Sequence, residues 1–361
     1  MRTRVTLLVF LAAAAPACGS ILGLQEPTVD DTIEAGGDSG GSDGGGGDGG
    51  PSAPVVIAQN QGGPFMVAQS GSRVVWTNFI GSTVSSIDKF DGGMTLMAAD
   101  PLADQPIGLA VDDSGVYFAN TGTSGTVLHC GGATCAASDV VFDAGFTNTD
   151  LVRNGALTYF LQADNDEIDR MNADGSGRQS IATTDTNNFE RFLARIATDG
   201  TNMYWTEPLN DTILRKPISG GSPTTIFTAS SGASPSAVLV DGTTLYFAVL
   251  GQDNGQGTVS SSALDGSGVQ TIAASQHFPY ELAVDANYIY WTAEGDADAS
   301  GNPLGNGGVF RCAKSGCGGN PDQLASNLND ARGIAVDDTT IYFATFETGK
   351  GDGKIWKMAK P

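Results

Sequence analysis

The chain has 361 residues and a formal net charge of -22, from 40 acidic against 18 basic side chains. Its length allows a large core, and its acidity repels phosphate backbones, which excludes nucleic acid as a partner. Fifty glycines and a charged fraction of only 16% argue against a helical protein, because glycine weakens helix interiors and favours turns. At the N-terminus, Met1 to Ala17 has a basic start and an apolar run from Val5 to Ala15. That run is too short to span a bilayer permanently, so residues 1–17 read as a signal peptide.

Ala15-Pro16-Ala17-Cys18 resembles the lipobox of bacterial lipoproteins, with Ala15 where that family usually has Leu. The resemblance implies that Cys18 carries lipid and becomes the mature N-terminus. Gly19 in place of Asp implies export to the outer membrane or cell surface of a Gram-negative bacterium. The stretch that follows contains GGDSGGSDGGGGDGG at residues 36–50, which offers no apolar side chain to bury. Residues 18–54 therefore read as a lipidated, disordered tether. Such a coil reaches roughly 30–35 Å root-mean-square. A Gly-x-Ser-x-Gly match at 37–41 lies in this tether, without the strand-to-helix turn that a nucleophile needs.

From residue 55 onward the chain repeats. A doublet recurs as Val75-Trp76, Tyr117-Phe118, Tyr159-Phe160, Tyr204-Trp205, Tyr246-Phe247, Tyr290-Trp291 and Tyr342-Phe343. The second members are spaced by 42, 42, 45, 42, 44 and 52 residues. A turn-forming residue precedes each pair: Ser70, Asp112, Asn154, Asp199, Asp241, Asp285 and Asp337. Each unit holds four short runs rich in β-branched and aromatic residues, separated by Gly, Asp or Ser. The expected fold is all-β, a seven-bladed β-propeller of four-stranded antiparallel blades over 55–361. Neighbouring side chains on a strand point to opposite faces, so an aromatic doublet requires both faces to be covered. A blade sandwiched between two others supplies that environment.

Tyr204-Trp205-Thr206-Glu207 and Tyr290-Trp291-Thr292-Ala293 resemble the YWTD repeat of lipoprotein-receptor propellers, and the general pattern is similar to NHL propellers. YWTD domains have six blades, whereas seven doublets occur here, and no copy ends in Asp. The last unit has only one strand after its doublet, GKIWKMAK, and Pro54 to Ala58 is a strand without a unit of its own. Placing 55–59 beside 353–359 closes the ring and removes exposed edges.

Cys130 and Cys135, and likewise Cys312 and Cys317, flank the turn after a third strand and are expected to form two disulfides in an oxidising compartment. A single four-cysteine zinc site is disfavoured, because the pairs belong to blades far apart in the ring.

Chemistry-bearing residues are few. His129 reads as a strand residue, and His277 lies in the connection to the sixth unit, where loops surround the channel mouth. Asp296, Asp298 and Ser300 open a calcium-like loop, but its twelfth position is Gly307 instead of the bidentate Glu. Candidate ligand-binding residues at the same rim are Glu190, Arg191, His277, Tyr280, Asp330 and Arg332, since exposed aromatics and arginines typify binding surfaces. These residues favour a monomeric module anchored to the membrane through lipid, which binds a protein, glycan or small ligand without a cofactor. The second reading is a propeller lyase or hydrolase with His277 as acid or base.

Overall fold

A computed structural model describes residues 53–361 except 124, 144–146, 186–192 and 299–302. The signal peptide, Cys18, the tether up to residue 52, Glu190, Arg191 and Ser300 lie outside the described residues. Twenty-eight strands, numbered β1 to β28 in chain order, make seven four-stranded antiparallel sheets. Among the described residues helix occurs only as short 3-10 turns, such as Ala137–Asp139 and Pro208–Asn210. Among the described residues no helix is long and apolar enough to cross a membrane.

Blade 1 is β2 (Pro64–Ser70), β3 (Arg73–Asn78), β4 (Thr83–Asp88) and β5 (Met94–Ala99), and each later blade repeats this meander. Blade 7 is completed out of order. Its β26 (Ala331–Val336), β27 (Thr340–Thr345) and β28 (Gly353–Ala359) are joined by β1 (Val55–Gln61), as the expected closure requires. Val55 pairs with Lys357 and Gln61 with Gly353, so β1 runs antiparallel to β28. Gln61 then reaches into blade 1, where its Oε1 accepts hydrogen bonds from Trp76 Nε1 (2.8 Å) and Asn78 Nδ2 (3.1 Å). Blade 6 repeats the contact, with Trp291 Nε1 donating to Gln276 Oε1 at the end of blade 5 (2.9 Å).

All seven doublets lie on second strands with both members buried. They divide their labour. Tyr290 packs into the same core cluster as Phe343, and Tyr246 into that of Trp291. Tyr204 shares a cluster with Phe247, Tyr159 with Trp205, Tyr117 with Phe160, Val75 with Phe118, and Tyr342 with Trp76. The first member of each blade thus meets the second member of the next, all around the ring. Aromatics fill this gap because each buries about 150–250 Å².

The Asp turns tighten the same junctions from one face. Asp285 accepts from the Asn287 amide and the Tyr290 hydroxyl, both at 2.8 Å, and pairs with Lys360 of blade 7 at 2.7 Å. Asp337 repeats this with the Tyr342 hydroxyl (3.2 Å) and Lys89 of blade 1 (3.0 Å). Arg153 reaches Asp112 (2.9 Å) and Lys314 reaches Asp241 (2.6 Å), again from one blade to the previous one. These ligands and the Lys360 cation hold the Asp285 carboxylate far below its ordinary range.

Both expected disulfides form, Cys130–Cys135 and Cys312–Cys317, each with a sequence separation of 5. They sit in blades 2 and 6 at the same face as the Asp turns. His129 stacks on Tyr117 with ring centroids 4.0 Å apart, which makes it a packing residue.

Deleting residues 54–61 strips β28 of its outer partner and removes the Gln61 acceptor of Trp76. The expected result is a thermal midpoint lowered by roughly 10 °C or more, with aggregation, in differential scanning fluorimetry. An unchanged midpoint would refute the role of β1 in closure.

Candidate functional site

The connections between blades and the loops joining second to third strands form the mouth face. The innermost strands descend from it into the channel: β2, β6 (Pro106–Asp112), β10 (Asn148–Asn154), β14 (Ile196–Thr198), β18 (Pro235–Asp241), β22 (Pro279–Val284) and β26. The residue paired with the second doublet member provides a common reference, as in Val67↔Trp76, Ile196↔Trp205 and Leu282↔Trp291. One residue earlier lie Met66, Gly108, Asp150, Arg195, Ala237, Glu281 and Gly333. Two residues earlier lie Phe65, Ile107, Thr149, Ala194, Ser236, Tyr280 and Arg332. These two rings line the channel.

The upper ring closes it. Tyr280 meets Phe65 edge-on with centroids 5.8 Å apart, although they come from blades 6 and 1. The Arg332 guanidinium lies 4.1 Å from the Phe346 ring, 4.8 Å from Phe65 and 5.4 Å from Tyr280. It also donates from Nε to Asp330 Oδ1 (2.7 Å) and from Nη2 to Asp330 Oδ2 (3.0 Å), and its Nε lies 3.4 Å from Glu294 Oε1. A cation held by aromatic faces and a bidentate carboxylate is strongly fixed. Tyr280 and Arg332 are therefore 2% and 6% exposed and form the channel floor, below the open rim where the sequence suggested them.

The lower ring is ionic on one side. Arg195 Nε donates to Glu281 Oε2 across the channel (3.1 Å), and its guanidinium lies 5.4 Å from the Tyr280 ring. Asp150 Oδ2 accepts from the Ile196 amide (2.8 Å). Two guanidiniums thus face four carboxylates, Asp150, Glu281, Glu294 and Asp330, in a largely buried cluster. Burial pushes Asp150 up to about 7, against the pull of Arg195. Burial, and then the charge of Asp330, push Glu294 up to about 8. Protons on these two acids would balance the cluster at neutral pH.

The opposite side is small. A Cβ on Gly333 would lie 2.5 Å from the Val67 amide nitrogen, so glycine lets the first strands of blades 7 and 1 touch.

His277 stands apart on the wall of the mouth, with its side chain 42% exposed. Its Nδ1 lies 2.9 Å from both Asp296 carboxylate oxygens. Asp296 is fixed in turn by Asn306, whose Nδ2 donates to Oδ2 (2.7 Å) and whose Oδ1 accepts from the Asp296 amide (2.7 Å). A neutral His277 carrying its proton on Nδ1, towards Asp296, would keep a lone pair on Nε2. The geometry commits Asp296, the first ligand of the calcium-like loop, to His277 and Asn306; Asp298 is half-buried.

Of the rim residues expected from sequence, Tyr280, Asp330 and Arg332 come together in one cluster, and His277 does not join them. Arg195, Glu281, Asp150, Glu294 and Phe65 escaped the sequence reading. The signal for three of them was in the repeat: their shared position is Met, Gly or Ala in four blades and ionisable in three.

Each raised acid binds more protons folded than unfolded. Its stabilising contribution is complete below about pH 4 and is lost as pH rises towards about 7 for Asp150 and about 8 for Glu294. Thermal midpoints should thus fall between about pH 5 and 8, and Asp150→Asn with Glu294→Gln should flatten that slope. A double variant with the parental slope would show that these acids do not titrate there.

No family model and no curated protein matches the sequence. Solved structures do match in fold. A catalytically inactive histidine-to-alanine variant of virginiamycin B lyase from Staphylococcus aureus, with quinupristin, is 16% identical at a TM-score of 0.64. That alignment covers 83% of this chain and 95% of the lyase. A streptogramin B lyase structure gives 17% identity and a TM-score of 0.61, over 83% of this chain and 95% of that one. A nidogen/laminin complex gives 16% and 0.50, over 73% and 95%. At these identities the likeness establishes the propeller fold, which is shared by a lyase and by a protein assembly.

Proposed function

We propose that this protein is an envelope-tethered binding module that presents the mouth face of its propeller to a protein, glycan or small ligand. The observation that carries this reading is the direction of β1. Val55 pairs with Lys357, and Ala359 at the same end pairs with Thr340 beside the Asp337 turn, so the chain enters the body at the Asp-turn face. Gln61, Gly353 and Thr345 lie at the opposite end, beside Ala331 and the floor built on Arg332. A lipid on Cys18 would then be joined to the body at the turn face, on the side away from the mouth.

The closed floor favours surface recognition over engulfment of a substrate. Around it, Ile80 and Leu304 are 50% and 57% exposed on loops of the mouth face, as contact residues would be. Cys18→Ser should release the protein from the membrane fraction. A photo-cross-linking residue at Ile80 or Leu304 should capture a discrete partner in cells, and one at Val269 on the outer rim should not. Absence of adducts at both mouth positions would remove the reading.

The His277–Asp296 pair favours a second reading, acid or base catalysis at the mouth wall. With quinupristin, the compound named with the similar lyase structure, as the trial substrate, His277→Ala would abolish turnover while leaving binding within a few fold. Equal turnover by the variant would dismiss it.

A further inference from the structure

We infer that the seam between blades 7 and 1 is the edge of the body that rests on the membrane, in contact with the interfacial region of a zwitterionic bilayer. The inference rests on the tether reading and extends it to an orientation.

The seam is where the ring closes, and its outer margin carries exposed apolar side chains on both strands beside the exposed Lys357. Ala58, Ile87 and Ile355 are buried within it, with Ile57 and Met94 partly buried against them. Val55 and Ala58 pair with Lys357 and Ile355, which are two apart on β28, so Val55 shares the seam face of Ala58. Leu96 and Met94 pair with Ser85 and Ile87, two apart on β4, so Leu96 faces the seam from the other side. Yet Val55 is 56% exposed and Leu96 54% exposed. At the turn face Phe90 is 85% exposed, the highest among the exposed large apolar side chains. Its turn is pinned over the seam, because the preceding Lys89 pairs with Asp337 of blade 7 (3.0 Å).

The occupant follows from where the tether joins. Residues 18–54 lead directly into Val55, at the turn-face end of the same seam. Read as a flexible coil, that segment would span roughly 30–35 Å root-mean-square, which would keep the body near its lipid and leave orientation to surface contacts. Asp88 and Asp91 flank Phe90, each accepting an amide of the turn at 2.8 Å, so the strip suits a zwitterionic surface better than an anionic one. Aromatic and aliphatic side chains at such an edge partition into the headgroup boundary.

The test couples a thiol-reactive lipid to Cys18 of the chain from Cys18 to Pro361 in phosphatidylcholine vesicles, using the one cysteine outside the two disulfides. Phe90→Trp and Ile80→Trp are compared with the parent chain, with and without lipids brominated in the upper acyl chain. The expected result is a blue shift and a loss of the added emission for Phe90→Trp, and neither for Ile80→Trp at the mouth face. Equal quenching of both variants, or quenching of neither, overturns the inference. Because the lipid is attached chemically, failure of Cys18→Ser to release the protein in cells would sink the native tether without touching this result.

Discussion

The structure depends on one packing arrangement: the first member of each doublet meets the second member of the next blade. Each contact is local, but it can be satisfied only if every blade has a neighbour on both sides. A single four-stranded blade would leave an aromatic stripe in water on each face, and an open array would leave two blades so exposed. Closure by β1 follows from this constraint. The Gln61–Trp76 hydrogen bond shows how completely the borrowed strand reproduces an ordinary junction, since Gln276 and Trp291 make the same contact between blades 5 and 6.

The repeat also distributes charge. On the turn face, Asp285 and Asp337 each bind a tyrosine hydroxyl of their own blade and a cation from the next, so charge there serves the junctions. In the channel the rule changes. Arg195 and Arg332 cross between blades and gather more carboxylates than they can neutralise. Such a cluster is costly to bury, and its members hold each other in one geometry. It makes the mouth a supported floor, while His277 and Asp296 on the wall keep a polar pair accessible. The two faces of the ring thus differ in kind: one is stitched together, and the other is available.

Legibility in the sequence followed the same division. The doublets, the Asp turns, both disulfides and the closing strand were readable because each is a local pattern that recurs or pairs within a few residues. Tyr280 and Arg332 were singled out but placed at an open rim, because nothing in HFPYE or NDAR indicates which side chains converge. Arg195 was missed for a related reason. It follows a long connection and immediately precedes a strand only three residues long, Ile196–Thr198, so its unit offers little of the repeat to align on.

The sequence by itself determined the number of blades, the strands within each and the way the ring closes, because seven evenly spaced doublets that need cover on both faces fit a ring of seven blades. It determined the cysteine pairing as well, since five residues across a turn leave little choice. Only the tertiary structure decided that the channel is stoppered, that its acids outnumber its arginines, and that the chain enters at the face opposite the mouth. Those properties arise where seven first strands converge on one axis, and the groups that meet there are separated by up to 267 residues, as Phe65 and Arg332 are. Contacts at that range leave no periodicity to read.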